Sequence, residues 1–174
     1  MLRAFSEKAV RVCAAGAGFA AIAWGVVALQ PTEAGAQGAK HEITVTVTRF
    51  KALDRADELS AGDFFARVTI DGANQQTAVI SDKAEVQPNW KLSKEVSPGV
   101  HNVKLALIDK DVSIDDPIDI NRLPNKRDLD FTVDTRSCKI DGFAQGYKCG
   151  ATITRAGGER KKAEISFRVD VTKK

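Results

Sequence analysis

Asp63-Phe64-Phe65-Ala66-Arg67-Val68-Thr69-Ile70-Asp71-Gly72 is the stretch that decides the fold. Phe64, Ala66, Val68 and Ile70 alternate with Phe65, Arg67, Thr69 and Asp71. Successive side chains of a strand point to opposite faces, so this period of two makes one face continuously apolar. Asp71-Gly72-Ala73-Asn74 then supplies residues that tolerate a tight reversal. The same period recurs outward in both directions. Ile43, Val45 and Val47 interleave with threonines, and Val103, Leu105 and Leu107 form a third face. Leu129, Phe131 and Val133 alternate against Asp128, Asp130, Thr132 and Asp134, and Ile165, Phe167, Val169 and Val171 against Ser166, Arg168 and Asp170. Residues 76–81, 90–96 and 150–155 are shorter strand candidates, and Pro98-Gly99 and Gly157-Gly158 are further reversal points. No segment after Lys40 sustains a helical period with caps. Eight short strands punctuated in this way predict an all-β chain, an eight-stranded antiparallel β-sandwich, with no internal repeat and no second domain.

The first forty residues have a different grammar. Arg3, Lys8 and Arg11 precede a charge-free run over 12–29, which Pro31 and Glu33 end, and Ala34-Gly35-Ala36 has the small-residue pattern of a cleavage site. This reads as a signal peptide over 1–36, an N-terminal signal helix outside the fold, with the sandwich domain over 37–174. The expected location is secreted or periplasmic, and the alternative is membrane anchoring by an uncleaved N-terminal helix. The whole chain carries 26 basic and 23 acidic residues. Without Arg3, Lys8, Arg11, Glu7 and Glu33, 23 basic and 21 acidic residues remain, and a net charge of +2 is too weak to imply nucleic acid. Two cysteines follow the cleavage point, Cys138 and Cys149, and an even pair in an oxidising compartment reads as a disulfide. Closing a loop of about a dozen residues stabilises by roughly 3 kcal/mol in the chain-entropy description.

The chemistry in the chain is carboxylate chemistry. Asp57 and Asp63 stand immediately before the strand at Phe64, and Asp109, Asp111, Asp115, Asp116 and Asp119 follow the strand ending at Ile108. If the two loops meet at one end of a sandwich, their carboxylates repel and raise one another's pKa until a cation intervenes. Calcium is the expected cofactor, a hard ion that takes six to eight oxygens from a flexible cage. An EF-hand is excluded, because Ile114 stands where the loop glycine belongs and Ile120 where the bidentate glutamate belongs. Acidic loops also arise because aspartate suits turns.

The order of elements resembles a C2 domain. It runs from an aspartate loop ending Gly62-Asp63-Phe64-Phe65-Ala66-Arg67-Val68, through Pro88-Asn89-Trp90, to a strand entering Asp109-Lys110-Asp111. The resemblance covers roughly 42–171. It implies an eight-stranded sandwich with calcium loops at one end, in which Asp57 and Asp63 are first-loop ligands and Asp109 and Asp111 are the third-loop pair. Asp115 or Asp116 would then be the fifth ligand, and the sequence does not choose between them. The chain departs from the family in carrying Leu107-Ile108 rather than an aromatic before the pair, and in placing Pro88 before Asn89-Trp90 rather than between them. The insert over 115–127, with Asp119 and Asn121, resembles an extended third loop.

Leu59, Val112 and Ile114 fall at the expected loop tips, where apolar side chains could enter a bilayer; isolated exposed apolar residues are also ordinary. Asn125-Lys126-Arg127 and Arg160-Lys161-Lys162 read as solvated turns, Trp90 as a core anchor, and His41 and His101 as surface histidines. No nucleophile motif, phosphate loop or HExxH is present, so the chain reads as a non-enzyme. The functional expectation is an exported C2-like module that binds calcium, on the order of 0.1–1 mM, and through it a phospholipid surface, a glycan or an extracellular protein. The alternative is a metal-free structural or adhesive domain for protein–protein interaction, read through its strand edges or its disulfide hairpin.

Overall fold

The computed structural model describes residues 38–54 and 62–174. The compact unit runs over Gln37–Lys174, and its hydrophobic core is drawn from strands throughout that unit. Residues 1–36 and Asp57 lie outside the described residues. Among the described residues the secondary structure is strand and turn, and no helix is long and apolar enough to cross a membrane.

The strands are β1 (His41–Ala52), β2 (Phe64–Ile70), β3 (Ala73–Gln76), β4 (Glu85–Val86), β5 (Trp90–Val96), β6 (Val100–Asp109), β7 (Asp116–Ile118), β8 (Leu129–Asp134), β9 (Lys139–Asp141), β10 (Tyr147–Lys148), β11 (Thr152–Ala156) and β12 (Ala163–Lys173). They form two antiparallel sheets. The first runs β11-β12-β1, with β4 and β5 end to end along the far edge of β1. The second runs β10-β9-β8-β6-β2-β3, with β7 continuing along β6 beyond the end of β8.

Among the described residues twelve strands replace the eight expected, for local reasons. Pro88 lacks the ladder N–H and Asn89 takes a positive φ of 49°, so one edge strand is interrupted into β4 and β5. The segment 116–118 pairs with β6 as β7, and the cysteine-bearing segment adds the small hairpin of β9 and β10. The strand expected over 76–81 begins earlier, inside the expected turn, as β3; Ile80 makes only an isolated bridge to Phe64.

Alternation does the packing. Phe64, Ala66, Val68 and Ile70 of β2 face Ile43, Val45 and Val47 of β1 and Ile165, Phe167 and Val169 of β12 within one core. A register shift between Val47 and Arg49 inserts one residue, which turns Phe50 inward where strict alternation would turn Arg49 inward. Trp90 stacks on Phe50 with centroids 5.6 Å apart and lies half-buried at the core margin, as an anchor should. Phe50, Phe64 and Phe167 are fully buried, each stabilising by roughly 1.5–3 kcal/mol. Both histidines are buried, not exposed: His101 Nδ1 lies 2.6 Å from Asp71 Oδ2 and Nε2 lies 2.8 Å from the Ser97 carbonyl.

Candidate functional site

Register sets the site. Phe64 of β2 lies opposite Asp109 of β6, and Asp109 lies opposite Asp116 of β7. Asp63, one residue before β2, therefore joins Asp109 and Asp116 in a row across one end of the second sheet. The Asp63 N–H donates to Asp109 Oδ1 at 2.6 Å, and the Lys110 N–H donates back to the Asp63 carbonyl at 2.7 Å. Asp63 Oδ1 accepts the Asp82 N–H at 3.1 Å. Asp109 is 1% exposed, so the centre of the row is a desolvated carboxylate. Asp111 and Asp115 follow on the connecting loop, whose tip carries Val112, fully exposed, and Ile114, largely so. Asp57 and Leu59 lie outside the described residues.

The acidic loops are not without counter-charge. Lys110 Nζ bonds Asp115 Oδ1 at 2.9 Å, and this bond, with burial opposing it, holds the Asp115 carboxyl below its usual range. Lys161, from the β11–β12 turn, donates its ammonium to Asp116 Oδ2. That bond raises the Lys161 pKa; burial opposes it, and the charges of Asp116, Asp111 and Asp109 add to the rise. Lys161 thus faces three of the five expected ligands. The basic run Arg160-Lys161-Lys162, expected as a solvated turn, sets one of its ammonium groups on the acidic row. Gly157-Gly158 marks the reversal that carries this basic run, and only the folded chain sets it beside the third loop.

Asp119 has another task. It is fully buried, Oδ1 accepts the Asn121 N–H at 2.9 Å, and Oδ2 accepts the Glu159 N–H at 2.7 Å. Its backbone carbonyl accepts the Ala163 N–H at 2.8 Å. A Cβ on Gly157 would meet that carbonyl oxygen at 2.2 Å, so only glycine permits this approach. Asp119 therefore ties the third loop to the β11–β12 turn and carries Lys161 to its place. It does not join the acidic row.

The donor set at the row is all oxygen, which suits a calcium ion in kind. Its arrangement does not suit one unaided: among the described residues no three acidic, histidine or cysteine side chains gather closely enough to hold a metal. Asp115 and Asp116 are engaged by ammonium groups, and a divalent ion would have to exchange for Lys161.

No protein-family model and no curated protein matches the chain. Solved structures do. The chain is similar to human GIVD cytosolic phospholipase A2 at 16% identity and TM-score 0.52, over 77% of this chain and only 16% of that one. A solved C2 domain matches at 14% identity and TM-score 0.50, over 77% of this chain and 98% of that one. A C2 domain of plant Extended Synaptotagmin 1 matches at 10% identity and TM-score 0.52, over 75% and 93%. The calcium-bound pair of C2 domains from Extended-Synaptotagmin 2 matches at 14% identity and TM-score 0.52, over 76% of this chain and 46% of that one. At these identities the similarity concerns the fold alone, and the fold is C2-like.

Proposed function

We propose that this chain is an exported, non-catalytic C2-like module that docks its loop end on a phospholipid surface with calcium as the bridging ion. The observation that carries the reading is the tip between β6 and β7: exposed Val112 and Ile114 stand between Asp109 and Asp116. Apolar tips gain by leaving water, while the surrounding carboxylates would be repelled by anionic headgroups. A bridging cation reconciles the two. Asp63, Asp109, Asp111 and Asp116 would hold calcium, which would supply positive charge to the headgroup phosphates. The solved calcium-bound C2 neighbour supports the choice of ion.

Lys161 favours a second reading, in which its ammonium stands permanently as the cation and calcium is not used. One experiment serves both. Residues 37–174 are co-sedimented with vesicles of phosphatidylserine and phosphatidylcholine, in chelator and in millimolar calcium. Calcium-dependent sedimentation that is lost in Val112→Asp/Ile114→Asp supports docking through the tip. Binding in chelator alone favours the resident lysine, and no sedimentation in either condition refutes lipid docking.

A further inference from the structure

The second chemically distinctive place in the molecule lies away from the acidic row, where the sandwich is open between the two sheets. The edge strand β11 of the first sheet and the β9–β10 hairpin of the second leave a cavity of about 640 Å³ between them, flanked by the segment 121–126. That volume falls in the range of small-molecule sites.

Its floor is aromatic and continuous with the core. The Phe143 ring centroid lies 5.4 Å from that of Phe131 and 6.3 Å from that of Phe167, both buried, and 5.8 Å from Tyr147 in an edge-on contact. Arg155 lies over these rings, its guanidinium carbon 4.6 Å from the Phe143 centroid and 5.5 Å from that of Tyr147. Nη1 donates to the Thr154 carbonyl at 2.9 Å and Nη2 to the Tyr147 hydroxyl at 3.2 Å. Gln145 Nε2 donates to the same hydroxyl at 2.8 Å. The phenol thus accepts two hydrogen bonds and, among the described residues, donates none, which leaves its O–H available to a ligand. The covalent bond between Cys138 and Cys149 closes the base of the hairpin that carries Phe143 and Tyr147.

The lining is also charged in one sense. Arg122, Lys126 and Arg155 oppose one carboxylate, Asp130, which is itself within 3.5 Å of the Lys104 ammonium. Leu123 is 59% exposed at the rim and Leu129 is buried behind it. A guanidinium fixed over aromatic rings offers planar, paired donors suited to a carboxylate, and the leucines and rings offer a surface for a flat apolar body. Cationic, fully polar or neutral apolar molecules would each leave part of this lining unmatched.

We propose that this cavity binds a small amphiphilic anion, a carboxylate carried on a flat apolar body, held by Arg155 and Tyr147 and covered by Leu123. The proposal does not depend on the loop-end reading. The test is calorimetric titration of residues 37–174 with 2-naphthoate and with its neutral counterpart 2-naphthamide, in chelator so that the acidic loops are not engaged. Naphthoate binding saturably, with naphthamide weaker by roughly tenfold or more, is expected from losing a charge-assisted hydrogen bond. Arg155→Met should weaken naphthoate by a similar factor and leave naphthamide little changed. Leu123→Asp, on an exposed side chain, serves if Arg155→Met does not fold, and should weaken naphthoate more than naphthamide. Absence of saturable naphthoate binding, equal affinity for acid and amide, or unchanged naphthoate affinity in a folded variant each overturns the proposal.

Discussion

Replacing Lys161 with methionine tests what the loop end is for. Methionine keeps most of the length and apolar stem of lysine and deletes the ammonium that bonds Asp116 and faces Asp111 and Asp109. The raised pKa sets the sign: the contribution is fully present below the ordinary value of 10.5 and is lost as pH rises through the folded value, so it acts in full at neutral pH. Both side chains of the pair are 38% exposed, so solvent screening limits its worth. Exposed pairs contribute roughly 0.2–1 kcal/mol, and two further facing carboxylates place this one at about 0.5–1 kcal/mol. In chelator the variant should therefore melt about 1–4 °C below the parent. Calcium should nearly cancel the difference. If the ion must displace the ammonium, removing it tightens calcium by the same amount of about 0.5–1 kcal/mol, roughly two- to fivefold. At about ten times the parent Kd, calcium stabilises the parent by about 1.4 kcal/mol and the variant by about 1.8–2.3 kcal/mol. Thermal melts of both proteins in chelator, in calcium and in magnesium read this directly. A calcium shift no larger in Lys161→Met than in the parent would refute competition at this site. No calcium shift in either protein would refute the calcium reading and leave Lys161 as the resident cation.

Three further outcomes are expected. Gly157→Ala should cost a few kcal/mol, because its Cβ would meet the Asp119 carbonyl oxygen at 2.2 Å with backbone on both sides; chemical denaturation measures it, and a loss under about 0.5 kcal/mol would contradict the close approach. Cys138→Ser/Cys149→Ser opens a loop with a sequence separation of 11 and should cost about 3 kcal/mol, read as a lower denaturation midpoint that reductant reproduces in the parent. Burial alone would raise the Asp71 carboxyl, but the His101 and Asn102 hydrogen bonds and the charges of His101 and Lys94 outweigh it and hold it below 3.8. Its contribution is therefore present above that pH and lost as pH falls through the folded value. Asp71→Asn should lose roughly 1 kcal/mol at pH 7 and converge with the parent in acid, and a constant difference down to about pH 2 would exclude the linkage.

The sandwich was legible because its signal is local. Strand alternation in 64–70, 103–107, 129–133 and 165–171 depends only on neighbours two apart, and the same side chains form the core. Pairing of Cys138 with Cys149 was legible by counting, and the C2-like order of motifs pointed to the fold that the solved neighbours share. Strand number was less legible. An interruption at Pro88-Asn89 and a short extension such as 116–118 are settled by which edge is available for pairing, not by side-chain period.

At the site, sequence by itself determined that Asp63 would enter β2 and Asp109 would leave β6, because the apolar alternation ends at those residues. It also determined an acidic third loop with apolar residues at its tip. Only the tertiary structure decided the charge balance there. Lys161 stands 45 residues from Asp116, and Asp119 is separated by 40 from the Glu159 N–H that it accepts. Electrostatic energy depends on distance in space, and the chain's own separation carries almost no information about it. The same holds for the cavity at the open edges, where Arg155, Phe143 and Tyr147 meet although no motif marks any of them. Periodicity is written into consecutive residues, whereas a counter-ion or a binding cavity exists only once two distant segments have been folded side by side.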